Sequence, residues 1–416
     1  MLHMNTYKLI GPFKQVLPMT GLPLNGALKD EQLNVLEGKV GILLQGETIA
    51  KTGGFDTLLN EAKIIGAEVV ELDGDFVALP GFIDSHTHIC SSGSRARDYA
   101  FRNSGKTYLE MAELGGGIWY TVTQTRNASQ KELEAGIAER ASRHLSEGVT
   151  TIETKSGYGL TVEEELKMLR AIQAVNKKHA ADLVPTCLAA HMHPKDFEGS
   201  KIEYLEVIGS QLFPILKEEK LANRIDIFVE SGAFSPQEAK SYLERAKAMG
   251  FSITIHADQF STGGSQLAVE VGAVSADHLE ASTDKEVEIL AKSNTIATAL
   301  PGATLGLGCA YTPARKLLNG GACLAIASDW NPGSAPMGDL LMQAAILGAV
   351  EKLSNAEVLA GITVRAAAAL ELTDRGTLAE GALADLAIFP CNNYQEILYQ
   401  QGKLKPAMVF KRGQKV

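Results

Sequence analysis

The sequence predicts an α/β protein: a (β/α)8 barrel, or TIM barrel, with a small composite β-sandwich domain built from both termini. Two observations predict the barrel. Buried strand-like runs alternate with helical periodicity through most of the chain, and histidines follow several of those runs, where such barrels carry catalytic groups. A third observation, turn-rich strand segments at both ends of the chain, predicts the second domain. We therefore expect the β domain in residues 1–78 and 374–416, and the barrel in residues 79–373.

Composition excludes several classes of function. The 416 residues are 45% hydrophobic and 21% charged, which is ordinary for a soluble globular protein. A formal charge of −10 argues against a nucleic-acid or anionic-membrane partner. We find no signal-peptide pattern and no apolar run of the roughly 18 residues that predict a membrane span. Five cysteines without a CxxC pair favour reduced thiols. We expect a cytoplasmic protein that acts on a small molecule.

The first segment predicts short strands and turns. Strand-like runs occupy residues 38–44 and 47–54, a helix-like stretch follows at 57–63, and another strand follows at 68–72. No catalytic constellation occurs there, so this segment is assigned to the β domain.

The first barrel strand ends in a histidine pair. An apolar run over residues 76–83 leads into His86-Thr87-His88. Alternate residues of a strand point to the same face, so both imidazoles could bind one metal ion. The alternative is a histidine pair that merely caps a strand.

Helices and strands then alternate. Helical periodicity at 129–146 precedes a strand at 148–153, and a second helix is predicted at 162–175, with Thr161 as N-cap and Glu164 completing a capping box. Further strand-like runs lie at 184–190, 224–229, 251–256, 273–276, 295–299 and 323–328.

Polar residues follow these runs with regularity. Five of the nine histidines and one aspartate lie just beyond a strand: His86, His88, His191, His256, His278 and Asp329. Core or surface histidines would scatter, as His3, His144 and His179 do. The pattern therefore predicts one active site at the carboxyl end of the barrel.

The last segment returns to β structure. Helical residues at 355–360 and 363–371 precede a turn-rich run at 374–389 and a closing strand at 408–413. We expect these strands to join the N-terminal ones.

These features resemble the metal-dependent amidohydrolase superfamily, which implies a barrel of amidohydrolase type. Narrower motifs are similar to its imidazolonepropionase family, from about residue 38 to the end. They are Ser94-Arg95 with Tyr108 and the run 115–118, and the sequences GVTTIETKSGYGLTVEEELKMLRAI, SADHLE and SDWNPGSAP. That resemblance implies an enzyme of histidine degradation, which hydrolyses the lactam C–N bond of 4-imidazolone-5-propanoate to N-formimidoyl-L-glutamate.

The resemblance also implies one divalent metal ion. The family's ligands correspond to His86, His88, His256 and Asp329, and three imidazoles with one carboxylate suit Zn²⁺ or Fe²⁺. Lys155 leaves open a carbamylated lysine that bridges two metals, as in other amidohydrolases, although the mononuclear pattern of this family argues against it.

The implied catalytic residues are Asp329, His278 and His191. A metal-bound water is the expected nucleophile. Asp329 and His278 are the candidate acceptors of its proton. His191 would contact the substrate ring and polarise its oxygen.

The implied substrate contacts include Arg95, whose planar fork matches the propanoate carboxylate. The remaining expected contacts are Tyr108, Tyr158, His191, Gln259, Asn331, Gly333 and Ser334. Gln259 departs from the glutamate of related deaminases. An amide cannot shuttle protons, so Gln259 is expected to hydrogen-bond the ring.

Two other functions remain open. One is another cyclic amidohydrolase or a heterocycle deaminase of the same superfamily, which Arg95 and the KSGYGL run disfavour. The other is a non-catalytic assembly protein, which the complete ligand set disfavours. The resemblance also suggests a homodimer.

Overall fold

Two eight-stranded sheets organise the chain, and the computed structural model describes residues 7–105 and 116–416. The strands are β1 Tyr7–Val16, β2 Leu36–Gln45, β3 Thr48–Gly54, β4 Glu68–Glu71, β5 Val77–Pro80, β6 Phe82–Asp84, β7 Val149–Lys155, β8 Asp182–Ala190, β9 Arg224–Val229, β10 Ser252–Ala257, β11 Ser275–His278, β12 Ile296–Ala299, β13 Leu324–Ile326, β14 Leu386–Phe389, β15 Met408–Lys411 and β16 Gln414–Lys415.

Most of the helices connect the strands of the barrel. The helices are α1 Phe55–Ile65, α2 Ala96–Asn103, α3 Ile118–Asn127, α4 Gln130–Ser146, α5 Val162–Asn176, α6 Lys201–Val207, α7 Phe213–Glu218, α8 Pro236–Ala248, α9 Gly264–Val271, α10 Asp284–Ala291, α11 Pro301–Leu307, α12 Ala314–Gly320, α13 Leu340–Glu351, α14 Asn355–Gly361, α15 Val364–Ala369 and α16 Gln395–Tyr399. Of these, α1 and α16 lie between strands of the other sheet. A 3-10 turn lies at Asp30–Leu33 and a π turn at Ile208–Leu212.

The barrel is an all-parallel sheet in which β6 to β13 pair in chain order. Its ends meet just beyond the last residues of β13 and β6. There the Asp329 N–H donates to the His86 carbonyl at 3.0 Å, and the His88 N–H donates to the Trp330 carbonyl at 2.9 Å. The segments that carry the predicted histidine pair and Asp329 are therefore hydrogen-bonded neighbours. The predicted TIM-barrel fold is confirmed.

The second sheet combines strands from both ends of the chain, in the order β16-β15-β14-β5-β1-β2-β3, with β4 beside β1. Side chains from its two ends share one apolar core, which includes Phe13, Ile42, Ile388 and Phe410. This sheet is the predicted composite β domain. The chain crosses from β5 to β6 at Gly81, where a Cβ would collide with the Thr150 side chain.

A cluster of charges joins the β domain to the barrel. Asp182, at the start of β8, accepts hydrogen bonds from Lys411 Nζ at 2.8 Å, Arg375 Nη1 at 2.5 Å and Arg412 Nη2 at 3.1 Å. All three cations come from the C-terminal segment, so one barrel carboxylate holds that segment in place.

Two local expectations need correction or addition. Thr161 caps α5 as predicted, but the Glu164 carboxylate pairs with Lys167 at 2.5 Å instead of completing a capping box. Strand β1 was not singled out from the sequence, because Gly11-Pro12 interrupts its alternation of apolar residues, and the pairing with β2 shifts register there.

In the part of the chain that the structure describes, no helix combines the length and apolar content needed to cross a membrane.

Candidate metal centre and active site

The predicted site residues gather around one cavity of about 700 Å³ at the carboxyl end of the barrel. Its walls include His88, Arg95, Tyr158, His191, His256, Gln259, His278, Asp329, Asn331, Gly333 and Ser334. Tyr108 lies outside the described residues. The strands bring these side chains together although they are far apart in sequence.

Four of these side chains converge at the spacing of metal ligands. His88 Nε2 lies 3.3 Å from His86 Nε2, 3.3 Å from His256 Nε2 and 3.3 Å from Asp329 Oδ1. Ligand atoms about 2.0–2.1 Å from one tetrahedral ion are themselves about 3.3 Å apart. All four residues are buried, with at most 3% of their surface exposed.

Two aspartates fix the histidine rings. His86 Nδ1 lies 2.7 Å from Asp277 Oδ2, and His256 Nδ1 lies 2.9 Å from Asp226 Oδ2. A carboxylate accepts, so each Nδ1 carries the proton and each Nε2 presents a lone pair. Both lone pairs face His88 Nε2, an arrangement that a cation satisfies and that is typical of carboxylate-supported metal ligands. These residues therefore fit a divalent metal.

Asp226 and Asp277 were not predicted as site residues. The signal that could have found them is a carboxylate within an otherwise buried strand, in β9 and in β11. A buried carboxylate needs a partner. His256 on the neighbouring strand provides one for Asp226, and His86, which follows β6, provides one for Asp277.

Burial also keeps the ligand imidazoles neutral. Desolvation, reinforced by the Lys155 charge, lowers the pKa of His86 well below its usual value and that of His88 to about 3. Desolvation also outweighs the nearby Asp226 and lowers the pKa of His256 to about 4. Neutral imidazole is the form that binds metal ions.

His278 differs from the three ligand histidines. Burial lowers its pKa, but three carboxylates together outweigh that effect: Glu280, 3.4 Å from Nδ1, then Asp329 and Asp277. Its pKa is therefore above the usual value. Geometry alone also permits His86, His256 and His278 as a metal-binding group.

Asp329 and His278 both have left-handed backbone conformations, with φ of +49° and +87°. Such conformations in residues other than glycine are strained and cluster at functional sites. Burial raises the pKa of Asp329, although the surrounding histidines oppose the shift.

Lys155 lies buried between two carboxylates. Its Nζ is 2.8 Å from Glu153 Oε1 and 2.9 Å from Asp226 Oδ2. Although burial lowers the pKa of Lys155, Asp226 and Glu153 raise it more, so the amine is held as an ammonium ion. Carbamylation needs the neutral amine and would place a third anion beside Glu153 and Asp226. The charge of Lys155 therefore supports a site with one metal ion and no carbamylated lysine.

His191 and Tyr158 form a wall of aromatic rings beside the ligands. The His191 ring stacks on His88, with centroids 5.5 Å apart, and Tyr158 lies 5.4 Å from His191. His191 Nδ1 donates to the Gly157 carbonyl at 3.0 Å. Burial lowers the pKa of His191, so the ring is neutral and its Nε2 is an acceptor.

One buried glutamate shapes the KSGYGL loop that carries Tyr158. The Glu165 carboxylate accepts hydrogen bonds from the N–H groups of Gly157 at 3.0 Å, Gly159 at 2.8 Å and Leu160 at 2.7 Å. Gly157 has a φ of +110°, a conformation that favours glycine. Glu165 was also missed from the sequence, since it looks like one of several acidic residues in the first turn of α5.

Arg95 also lines the cavity. Its Nε donates to Asp98 Oδ2 at 2.8 Å, which orients the guanidinium. A Cβ at Gly333 would collide with Arg95 Nη1, and Arg102 Nη2 donates to the Gly333 carbonyl at 3.1 Å. Gly333 is therefore the residue that lets the arginine lie against the loop after β13.

Asn331 organises that loop internally. Its Nδ2 donates to the Asp329 carbonyl at 2.7 Å and to Ser334 Oγ at 2.9 Å, and its Oδ1 accepts from the N–H groups of Gly333 and Ser334 at 2.7 and 2.8 Å. These bonds fix the loop before any ligand arrives, and the hydroxyl hydrogen of Ser334 is free to donate.

Gln259 lines the cavity from the turn after β10. Glu230 holds this turn, because its Oε2 accepts from the N–H groups of Phe260 at 2.8 Å and Ser261 at 3.1 Å. The amide of Gln259 is thus placed on a fixed backbone, and its neighbour Phe260 is 60% exposed at the rim.

The sequence pattern of the amidohydrolase family matches residues 77–416, which contain the whole barrel and every site residue above. The chain belongs to the amidohydrolase family. This amidohydrolase is also similar to curated imidazolonepropionases. The enzyme of Bacillus mycoides (strain KBAB4) is 40% identical over 397 residues, which are 94% of this chain and 92% of that protein. The imidazolonepropionase of Bacillus cereus (strain G9842) matches with the same identity and coverage.

Solved amidohydrolase-like structures share the fold. The atrazine chlorohydrolase of Arthrobacter aurescens TC1, complexed with zinc, superposes with a TM-score of 0.72 at 15% identity over 98% of this chain and 94% of that one. An adenosine deaminase from Xanthomonas campestris with bound zinc gives a TM-score of 0.69 at 18% identity over 98% and 92% of the two chains.

The family and the curated relatives make this amidohydrolase an enzyme that hydrolyses a small cyclic amide. The family and the convergent histidines and aspartate together support a site for a divalent metal.

Proposed function

We propose that the chain hydrolyses the lactam C–N bond of 4-imidazolone-5-propanoate and yields N-formimidoyl-L-glutamate. The observation that carries the proposal is that Arg95 lines the same cavity as the ligand candidates His88, His256 and Asp329. A cyclic amide with a carboxylate side chain offers a reacting carbonyl to the ligand cluster and an anion to Arg95.

In this proposal His86, His88, His256 and Asp329 hold one divalent ion, Zn²⁺ or Fe²⁺. Neutral imidazoles and a carboxylate suit both ions. When bound, the ion would lower the pKa of the nucleophilic water and polarise the lactam carbonyl.

Asp329 and His278 share the transfer of protons. The Asp329 carboxylate accepts a proton from the attacking water as its oxygen bonds to the carbonyl carbon. The C–N bond then breaks, and that proton passes to the leaving nitrogen. His278, oriented by Glu280 3.4 Å away, holds the water or takes the proton in place of Asp329.

The remaining residues bind and orient the substrate. Arg95 pairs with the propanoate carboxylate, and the Ser334 hydroxyl and Tyr158 hydroxyl donate to the substrate. Asn331 and Gly333 shape that contact, and Tyr108 is expected to contribute a hydroxyl.

His191 and Gln259 meet the ring. Polarising the ring oxygen, as expected from the family, would need an N–H at His191 Nε2, whereas the Gly157 bond leaves an acceptor there. We therefore infer that His191 accepts a hydrogen bond from a ring N–H, and that the Gln259 amide can supply the complementary donor.

The test is turnover of freshly generated 4-imidazolone-5-propanoate in H₂¹⁸O, with product identification by mass spectrometry. The proposal predicts N-formimidoyl-L-glutamate with one ¹⁸O in its new carboxylate and no release of ammonia. Ammonia release would indicate a deaminase, and an untouched imidazolone with turnover of another carboxylate-bearing lactam would move the assignment to a different cyclic amide.

A further inference from the structure

Lys155 is a chemically prominent residue that the proposed reaction does not use. It belongs to the KSGYGL run, lies at the end of β7 and is 1% exposed. Burying an ammonium ion is costly unless carboxylates surround it. Its position between Glu153 and Asp226 therefore calls for a role.

The link through Asp226 leads to one metal ligand. Asp226 Oδ2 lies 2.9 Å from Lys155 Nζ and 2.9 Å from His256 Nδ1. Asp226 Oδ1 accepts from the His256 backbone N–H at 3.2 Å. Asp226 thus fixes both the ring and the backbone of His256, and Lys155 holds Asp226.

The link through Glu153 leads to the histidine pair. Glu153 Oε1 lies 2.8 Å from Lys155 Nζ, and Oε2 accepts from the Thr87 N–H at 3.0 Å. Thr87 Oγ1 in turn donates to the Glu153 carbonyl at 2.6 Å. Thr87 stands between His86 and His88, so its placement sets both ligand positions.

We propose that Lys155 is a positioning residue that holds the ligands of two separate strands at metal-binding spacing, acting through Glu153 and Asp226. The inference rests on the proposed metal centre. Without the ammonium, two buried carboxylates would face each other uncompensated, and at least one would move away from the ligand that it orients.

The test is the metal affinity of Lys155→Met, measured by competition with a chromogenic chelator and Zn²⁺. Outer-shell partners of ligands change metal affinity by about 10–100-fold, and we expect a loss in that range. In saturating Zn²⁺ the KM for the substrate should stay close to the wild-type value, because Lys155 does not contact the cavity.

A matched control exists in the β domain. Lys411 is 4% exposed, and its Nζ also lies between two carboxylates, at 2.6 Å from Asp385 and 2.8 Å from Asp182. Lys411→Met should lower the unfolding temperature but leave the Zn²⁺ dissociation constant unchanged. An equal loss of affinity in both variants would overturn the inference, since it would reflect general destabilisation.

Glu153→Gln provides a second variant if Lys155→Met does not fold. It keeps Lys155 and removes the charge that joins it to Thr87, and we expect Zn²⁺ affinity to fall roughly tenfold. If Glu153→Gln, or both variants, binds Zn²⁺ with wild-type affinity, the inference about Lys155 is overturned and the metal centre is unaffected. Wild-type protein that binds no divalent ion would overturn the metal centre and this inference together.

Discussion

At the scale of single residues, the site depends on which atoms carry protons. The close contacts of His86 with Asp277 and of His256 with Asp226 favour a proton on each Nδ1 and leave Nε2 free for a metal. His278 has Glu280 instead, and its raised pKa suits proton transfer rather than ligation. We therefore propose that the carboxylate partner of each imidazole decides whether that imidazole binds the metal or transfers a proton.

This division predicts the behaviour of His278→Asn. Loss of a general acid–base group should lower kcat by about 10²–10⁴, while the bound metal stays at one ion per chain. The measurement is metal analysis by mass spectrometry beside steady-state kinetics, with half-buried His179→Asn as the control. Loss of the metal in His278→Asn would instead support the ligand group of His86, His256 and His278.

A second prediction concerns Gly333. Gly333→Ala places a methyl group where Arg95 Nη1 lies and should displace the guanidinium. A charged hydrogen bond contributes about 1.5–3 kcal/mol, so KM should rise about 10–100-fold with kcat nearly unchanged. Gly53→Ala, whose Cβ has no neighbour within 4 Å, is the control.

If Gly333 acts through Arg95, its substitution should matter only for substrates that carry the carboxylate. A cyclic analogue without the carboxylate should react equally slowly with wild-type protein and with Gly333→Ala. A variant that affects both substrates alike would show that Gly333 supports the loop and not the arginine.

At the scale of elements, loops after the strands carry the proposed substrate-binding residues, and buried carboxylates fix the loops. Glu165 fixes the KSGYGL loop, Glu230 fixes the Gln259 turn, and Asp98 joins Arg95 to the Gly117 N–H at 2.8 Å. Each carboxylate satisfies backbone donors that would otherwise be buried without a partner.

If Glu165 fixes the KSGYGL loop, Glu165→Gln should impair catalysis without loss of metal. The NH₂ group of an amide donates and cannot accept, so glutamine leaves at least one of the three loop N–H groups without an acceptor. Tyr158 and the Gly157 carbonyl that orients His191 should therefore shift. We expect kcat/KM to fall about tenfold, since a lost buried acceptor costs about 1–3 kcal/mol, with metal content unchanged.

Glu164→Gln is the matched control for that experiment, because Glu164 precedes Glu165 and pairs with Lys167 at the surface of α5. Its kinetics should match wild type. Equal defects in the two variants, or loss of metal in Glu165→Gln, would contradict the assigned role.

Elements were largely predictable from the sequence, while their supporting contacts were not. Strand β9 was predicted with its observed bounds, since an apolar run between helices is a local signal. Asp226 within that strand was missed, because its partners Lys155 and His256 are 71 and 30 residues away in the chain. The tautomer of His191 depends on the Gly157 carbonyl, which also required the folded loop.

At the scale of the whole molecule, two sheets share one charged junction. The sequence predicted that both termini would form one β domain, from the character of their strands. It could not show that Asp182 collects Lys411, Arg375 and Arg412, because surface-like charges become partners only when the two sheets meet.

The junction predicts a pH dependence of stability. Burial raises the pKa of Asp182, but Lys411 and Arg375 outweigh it and hold the pKa at about 2, below the ordinary 3.8. Because this pKa is lower in the folded protein, the ionised carboxylate stabilises the fold at pH values above its pKa in the unfolded chain. That contribution is lost as the pH falls from about 4 to 2. Asp182→Asn should therefore lower the free energy of unfolding by about 2 kcal/mol at pH 7.

Urea unfolding of wild type and Asp182→Asn across this pH range tests the prediction, and the difference should shrink as the pH falls. Asp75→Asn, which removes a half-exposed partner of Lys14, should have little effect at any pH. A difference between wild type and Asp182→Asn that does not change with pH would contradict the assigned charge state.

The central claim is that the four converging residues hold a metal ion that opens an imidazolone ring. The most direct measurement removes the metal with a chelator, restores Zn²⁺ or Fe²⁺ in separate samples, and follows the ultraviolet absorbance of 4-imidazolone-5-propanoate. We predict loss of turnover without metal and its return at one ion per chain. Full turnover by metal-free protein, or no turnover at one bound ion, would contradict the account.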